Sequence, residues 1–492
     1  MSATLPLTPM DIAMQQTAPA RPRDGSLGSA AVVGFFSALA LLALWFAHQG
    51  NLLCLGFPAL AALIALILIV QKPVAYLRFT LWIWFLTPFL RRIVDFRCGW
   101  EEPNLLLLAP LLVSAVSGYT LLRPRAHTSV NIAPFVLCGA AVAYGLIVGL
   151  FLKPSMEVVY GLFNWATPIL LGLHISKHWD DYDRHRDAIL STFCWGTLVL
   201  GSYGLYQFFT APDWDVFWLQ NITSGLIDPS FGTPEPMGLR VWSTMNSAGP
   251  FANMLIVGLL MLIIAKQPGK LLFNSVGTLA LLVTFVRTAW LSWLIGLAFL
   301  LKGVKPRVML KGLTSLLVMA VLIVPLAGTS LAGPMLQDRF KTFKNIGHDE
   351  SFQERSDMYR IMTERAEGDP FGHGLRNQEI IGNLVIDSGI LTMLFSLGWA
   401  GTLFYLCGLF WLMFHRTQPA AADPFAWTCK VVCIAFLAQL IGSNLFVGST
   451  GTFFWVMAGM TVAAERWHRN NALLESARGP LFPEAAALLE TP

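Results

Sequence analysis

Charge is scarce in this chain. Only 13% of its 492 residues are Asp, Glu, Lys or Arg, against about 25% in a soluble globular domain. That composition excludes a water-exposed fold of this size. Cysteine is scarce as well: there are seven, with no Cys-x-x-Cys pair, which leaves neither a disulfide framework nor a metal site. Most of them lie in apolar stretches, where a lone Cys behaves as a small hydrophobe. Cys98 alone is expected to face the outside. No short apolar stretch with a cleavage site stands at the N-terminus. Residues 1–26 are polar and rich in Pro and Ala, and are expected to form a disordered cytoplasmic tail rather than a signal peptide. No metal cluster or cofactor motif is seen, and nothing suggests a nucleic-acid partner. Internal repeats and inverted symmetry are also missing, which weighs against a transporter.

Long apolar runs are what the chain does have. Hydrophobic residues make up 55%, and the mean hydropathy is +0.60. Runs of about 18 or more apolar residues recur from end to end, as in transmembrane helices. The expected fold is an all-α polytopic membrane protein with about 12–14 spans. They fall near 28–47, 51–70, 79–96, 104–122, 132–152, 156–174, 187–208, 245–265, 271–286, 288–301, 312–330, 386–411, 427–447 and 450–465. Basic residues mark the cytoplasmic loops. Lys72 and Arg78, Arg123 and Arg125, Lys177 to Arg186, Lys266 and Lys270, Lys302 to Lys311, His415 and Arg416, and Arg466 and Arg469 alternate as that rule requires. Both termini are then cytoplasmic.

This divides the chain into an N-terminal tail (1–26), N-terminal spans (27–208) and a first outer loop (209–244). Further spans (245–330), a large outer loop (331–385), C-terminal spans (386–466) and a cytoplasmic tail (467–492) follow. The polar mass therefore lies outside. The first outer loop is aromatic, with Phe208, Phe209, Trp214, Phe217 and Trp218. It reads as an interfacial aromatic belt, with sugar stacking as the alternative.

Within "LALLVTFVRTAWLSWLIGLAFLL", residues 279–301, stands Arg287, the single charge between Leu271 and Leu301. Basic residues on both flanks require the segment to cross and return. Each leg has about 15 residues, or about 22 Å, short of a hydrocarbon core of about 30 Å. Arg287 is thus expected at the apex, at or just below the outer surface. It is either a snorkelling arginine or a functional charge.

Other arginines share the outer side, which the positive-inside rule should leave poor in them. Arg91, Arg92 and Arg97 end the third span, Arg240 precedes the eighth, and Arg339, Arg355, Arg360, Arg365 and Arg376 lie in the large loop. Guanidinium forks suit phosphate. Pairing with local acids such as Asp95, Glu101, Asp338 and Glu354 is the alternative, and it is weaker for Arg240 and Arg287. The large loop is expected to hold a short amphipathic helix in "SFQERSDMYRIMTERA". Ser351 and Glu354 form its capping box, and Arg355 and Tyr359 share a face. "PFGHGLRN" follows with His373. Asp387 opens the next span, as an N-cap or as a general base.

Four segments, in order, resemble the O-antigen polymerase/ligase superfamily of bacterial inner-membrane glycosyltransferases (the Wzy and WaaL types). They span roughly residues 235–405. "RVWSTMNSAGPFANML" is similar to the family's Arg segment entering a span. "TFVRTAWL" is similar to its Thr-x-Ser-Arg-Gly turn, with Arg287 on the Arg and Val286 in place of Ser. "ERSDMYRIMTERAEGDPFGHG" is similar to its Arg-x-x-x-Trp…Pro-x-x-Gly-x-Gly loop, with Arg355 on the Arg, Tyr359 on the Trp and Pro370, Gly372 and Gly374 on the turn. "DSGILTMLFSLGWAG" is similar to its His-Asn-x-x-Leu…Gly-x-x-Gly helix, with Leu391, Gly398 and Gly401 matched and Asp387 on the histidine. The ligase branch relies on that histidine, so Asp387 points to the polymerase side, closest to exopolysaccharide polymerases.

The resemblance implies a GT-C-like fold with a large periplasmic loop. It also implies polymerisation of undecaprenyl-pyrophosphate-linked repeat units at the outer face of the inner membrane. The reaction would be metal-independent and inverting, without a cofactor. Arg287 and Asp387 would be catalytic, and Arg240, Arg355 and Arg360 would bind the pyrophosphate. His373, Tyr359, Arg91 and Arg92 are further candidates. Partners would be the lipid-linked glycans, membrane lipids and a chain-length regulator or polysaccharide export proteins. The rival readings are a ligase acting on a lipid A core, a lipid-linked-glycan flippase and a non-catalytic assembly subunit.

Overall fold

The computed structural model describes residues 45, 48–122, 130–222, 231–302, 317, 359–361, 363–364, 368–376, 380–381, 384–385, 388–414 and 422–478. The expected spans 28–47 (Trp45 apart) and 312–330 (Leu317 apart) lie outside these residues, as do both tail ends, Arg355 and Asp387.

Helix follows helix through the described chain. They are α1 Gly50–Gln71, α2 Pro73–Cys98, a composite α3 over Leu105–Leu122, α4 Ala133–Leu152, α5 Met156–Lys177 and α6 Tyr182–Thr210. Next come α7 Asp213–Ile222, α8 Ala248–Ile264, α9 Lys270–Val283, α10 Arg287–Leu301, α11 Gly389–Phe414, α12 Pro424–Leu437 and α13 Gly448–Arg478. A two-residue hairpin, Ile380–Ile381 with Leu384–Val385, is the strand structure among the described residues. Seven of the helices are long and apolar enough to cross a membrane, and α8, α9, α10 and α12 are shorter apolar helices. This is the architecture of an all-α polytopic membrane protein.

Burial orders the bundle. Helix α8 is apolar on every side, and its residues from Phe251 to Ile263 are all buried. A helix hydrophobic all round belongs at the centre, and α8 packs against α6, α9, α10, α12 and α13. Elsewhere α13 packs on α5, α11 on α4 and α9 on α6. Large apolar side chains such as Leu150, Trp195, Leu291, Leu403 and Phe410 stay exposed on the rim, as hydrocarbon contact allows.

Two differences from the hydropathy reading matter. Helix α13 runs on to Arg478, past the expected boundary at 466. In the 209–244 segment Trp218 leaves the expected belt: with Leu219, Leu239 and Trp242 it closes into a small core, with Trp100, Val216 and Phe231 packed on it, while Phe209 stays exposed. A belt needs rings at a lipid–water boundary; here the largest rings face one another, Trp218 and Trp242 at 5.7 Å and Phe231 and Trp242 at 5.3 Å.

The end of the bundle opposite Arg287 is tied by one carboxylate. Asp423 caps α12, accepting from the N–H groups of Phe425 (3.1 Å) and Ala426 (3.0 Å). Its other oxygen takes the Tyr182 hydroxyl at 2.7 Å and lies 2.8 Å from His468 Nε2, joining α6, α12 and α13. Burial pushes the Asp423 carboxyl up, but the Ala426 N–H, His468 and Tyr182 outweigh it and hold it below its usual value. A depressed folded value stabilises the protein above the unfolded value of about 3.9, and that contribution is lost as pH falls through the folded one. Asp423→Ala removes the cap and strands the buried Tyr182 hydroxyl, a cost of about 2–4 kcal/mol. Thermal melts in detergent should show a lower midpoint for the variant at neutral pH. The gap should close only below about pH 4; a gap unchanged at pH 3 would contradict the assignment.

Candidate functional site

Arg287 stands where the short legs meet. Helices α9 and α10 have 14 and 15 residues, so each rises about 21–22 Å. The turn between them is Thr284–Val286, with Phe285 at φ 53°. Thr284 Oγ1 accepts from Val286 N at 3.3 Å, and Trp290 Nε1 donates to Leu281 O at 2.9 Å, fixing the turn from both sides. Val286 occupies the N-cap of α10 with extended backbone and no side-chain cap, and the first turn carries no acid. A Ser at that position could cap; a Val cannot. The positive end of the helix dipole therefore falls at Arg287, the first residue of α10, a backbone arrangement suited to an anion. Arg287 itself is half-buried.

The backbone that follows Arg240 is held against the end of α9. The Arg240 backbone N–H donates to Phe231 O at 2.9 Å, and the next residue, Val241, donates to Val283 O at 3.1 Å. Thus the Arg240 segment lies directly against the end of α9, one turn before Arg287. Phe208 and Phe285 rings, 6.4 Å apart, pack beside that contact. Beyond the turn, α8, α10 and the end of α12 share a buried polar cluster. Gln439 Nε2 donates to Asn253 Oδ1 at 2.9 Å and to Ser292 Oγ at 3.0 Å, and Ser292 Oγ donates to Ala435 O.

The loop residues come in from the other side. The Tyr359 hydroxyl pairs with Ser388 Oγ and donates to Ile441 O at 2.6 Å. Ser388 Oγ also accepts from Leu391 N at 3.4 Å, so the cap of α11 is Ser388. Gly389 N donates to Leu440 O and Ser443 O at 3.0 and 3.1 Å. Tyr359 thus anchors the loop helix carrying Arg360, which is exposed, to the start of α11 and to the 438–447 turn.

The glycine-rich stretch does something no pattern announces. Residues 369–376 thread between α4, α5 and α11. Leu375 N donates to Gly145 O at 3.2 Å, Tyr144 Oη to Phe371 O at 3.1 Å, and His373 N to Phe395 O at 2.7 Å. Gly398 sits in the left-handed region at φ 64° and breaks α11. The break accepts the loop: Trp399 N donates to Pro370 O at 3.0 Å, and a Cβ on Gly398 would lie 2.5 Å from Phe371 O. The Pro-x-Gly-x-Gly and Gly-x-x-Gly segments are therefore two halves of one joint. His373 is half-exposed at its edge, its Nε2 3.4 Å from Asp369 Oδ2 and its ring 5.6 Å from Phe395.

Arg91 and Arg92 need a correction. Both were expected to face outward as candidate phosphate ligands, and both are buried at 4% and 1% exposure. Arg91 pairs with Asp95 at 3.0 Å and Glu102 at 2.8 Å and stacks over Trp100. Arg92 pairs with Asp215, itself fully buried, at 3.0 Å. Arginines at the end of a membrane helix lie within reach of inward carboxylates, and a buried charge must be paired. The Asp95 partner stands four residues from Arg91 and was visible in the sequence; Asp215 is remote and was not.

No family model, no characterised protein and no solved structure matches this chain.

Proposed function

We propose that this protein polymerises undecaprenyl-pyrophosphate-linked oligosaccharide repeat units at the outer face of a bacterial inner membrane. In this reading both termini are cytoplasmic and the fold is GT-C-like. The observation that carries the proposal is the Val241–Val283 contact. It brings the backbone of the Arg240 segment against the end of α9, four residues before Arg287 and the start of α10, whose first turn has no acid and no side-chain cap.

The chemistry follows from that placement. The bond from the anomeric carbon to the pyrophosphate oxygen breaks, and its electron pair leaves with the pyrophosphate. Arg287 and Arg240 stabilise the charge that develops there, in a site poor in water. Arg360 closes over it from the segment that Tyr359 anchors, and the family resemblance adds Arg355 to the same set. An acceptor hydroxyl on a second lipid-linked unit attacks from the opposite face, which inverts the centre. Its proton passes to the Asp387 carboxylate, the residue next to the α11 cap. His373 and Asp369 border the joint below. No metal or cofactor enters the scheme.

Deleting the gene in its host and sizing the glycans on carrier lipid and cell surface tests the proposal. Single repeat units with no long polymer are expected. Long polymer stalled on the carrier would instead identify a ligase, and Asp387 would have been misread. Unchanged glycans would remove the reading altogether.

A further inference from the structure

We infer that Asp215, acting through Gln207 and Arg92, is a positioning residue that fixes Arg240 for ligand binding. The inference rests on the reading of Arg240 as a pyrophosphate ligand.

Residues 241–245 are not helical, yet they are buried between 0 and 3%. Irregular backbone buried in a membrane bundle must have every polar group satisfied by protein. Here two side chains do most of that work. Gln207 Oε1 accepts from Trp242 N at 3.1 Å and Ser243 N at 2.9 Å. Arg92 donates to Ser243 O and, at 3.0 Å, to Met245 O. Both side chains converge on one carboxylate. Asp215 Oδ2 accepts from Gln207 Nε2 at 2.8 Å and from the Tyr203 hydroxyl at 2.7 Å, and Asp215 Oδ1 lies 3.0 Å from Arg92 Nε. Trp214 Nε1 donates to the Tyr203 hydroxyl at 2.7 Å and closes the ring of contacts.

The orientation of each group is thereby forced. Asp215 takes the amide nitrogen of Gln207, which turns the amide oxygen toward the two N–H groups. The same carboxylate pairs with the Arg92 guanidinium as an ion pair, Oδ1 3.0 Å from Nε without the alignment of a hydrogen bond, while the two terminal nitrogens donate to the two carbonyls. Ser243 holds φ 53°, a left-handed backbone uncommon for a residue with a Cβ. Its hydroxyl donates to Leu200 O at 2.6 Å. Arg240 enters the turn two residues before these anchors and is held on the other flank by Phe231 O. Hydrophobic packing alone would let such a strand slide; four directed hydrogen bonds set its register.

The test is a double-mutant cycle read by binding of undecaprenyl pyrophosphate to the full chain in lipid nanodiscs, well below the melting temperature. Arg240→Ala should weaken binding about 10-fold or more. Gln207→Met, which loses the backbone anchors but touches no ligand, should weaken it by a comparable factor. The double variant should bind no more weakly than Arg240→Ala alone, because each removes the same interaction. If the two losses multiply, or if Gln207→Met binds as wild type while Arg240→Ala is weak, the positioning role is overturned and the Arg240 reading survives. If Arg240→Ala binds as wild type, both fall. Should Gln207→Met fail to fold, Asp215→Asn takes its place in the same cycle. It keeps one acceptor oxygen for Gln207 and Tyr203 and puts an amide donor, without charge, where Oδ1 paired with Arg92.

Discussion

Arg287→Ala is expected to lower the rate of polymer formation by about 10²–10³-fold, the usual effect of removing one pre-placed group from a developing anion. Arg287 has no freedom to be replaced by a neighbour. It begins α10, on a turn pinned by Thr284 and Trp290, at the positive end of an uncapped helix. Arg287→Lys should recover part of the rate and not all of it. The ammonium restores the charge, but a bidentate fork on a phosphate needs the planar guanidinium. The measurement is the initial rate of chain extension by vesicles supplied with the purified lipid-linked repeat unit. The loss should fall on kcat more than on KM if the interaction strengthens as the bond breaks. Full activity in Arg287→Lys would remove the bidentate contact from the mechanism. Full activity in Arg287→Ala would remove Arg287 from the site.

The second large effect is on stability. Gly374→Ala should cost about 4 kcal/mol, from overpacking and a left-handed backbone together. Gly374 has φ 79°, and a Cβ there would land on the Gly149 backbone, 2.9 Å from Gly145 O. Both obstacles are main chain in α4, so no rotamer change relieves them. The control is Gly249→Ala near the start of α8, where an added Cβ meets nothing within 4 Å and helix propensity favours Ala by about 1 kcal/mol. Thermal melts in detergent should separate the two clearly, with Gly374→Ala well below wild type and Gly249→Ala at or above it. Equal midpoints would mean that the joint between α4, α5 and α11 contributes little.

Length and flanking charge were enough to read the Arg287 turn. Two legs too short to cross, bounded by Lys270 and Lys302, admit few other geometries. For Arg91 the Asp95 pairing was readable as the alternative, four residues on; for Arg92 the partner was not, because sequence position does not say which remote acid a side chain meets. Their outward role required that no acid be near; Asp215, far along the chain, fills the Arg92 site. The buried place of Trp218 in the 209–244 segment was not legible for a related reason. Hydropathy averages cannot distinguish an aromatic ring facing lipid from one facing another ring, and the Trp218–Trp242–Phe231 core exists only once α7 is docked on α2. The glycines near His373 and at Gly398 were legible as a pattern. Their purpose was not, since a broken helix is defined by the backbone that enters it from elsewhere.

That joint also fixes an order of events during synthesis. Helices α4 and α5 leave the ribosome long before residues 369–376, and α11 comes after them. The seam along Gly145, Gly149 and Gly161, shaped to take Leu375, therefore stays unfilled while some two hundred residues are still being made. Only when residues 369–376 and α11 have both been made can the three-way junction close. A chain stalled anywhere before Gly398 presents an unfilled glycine seam.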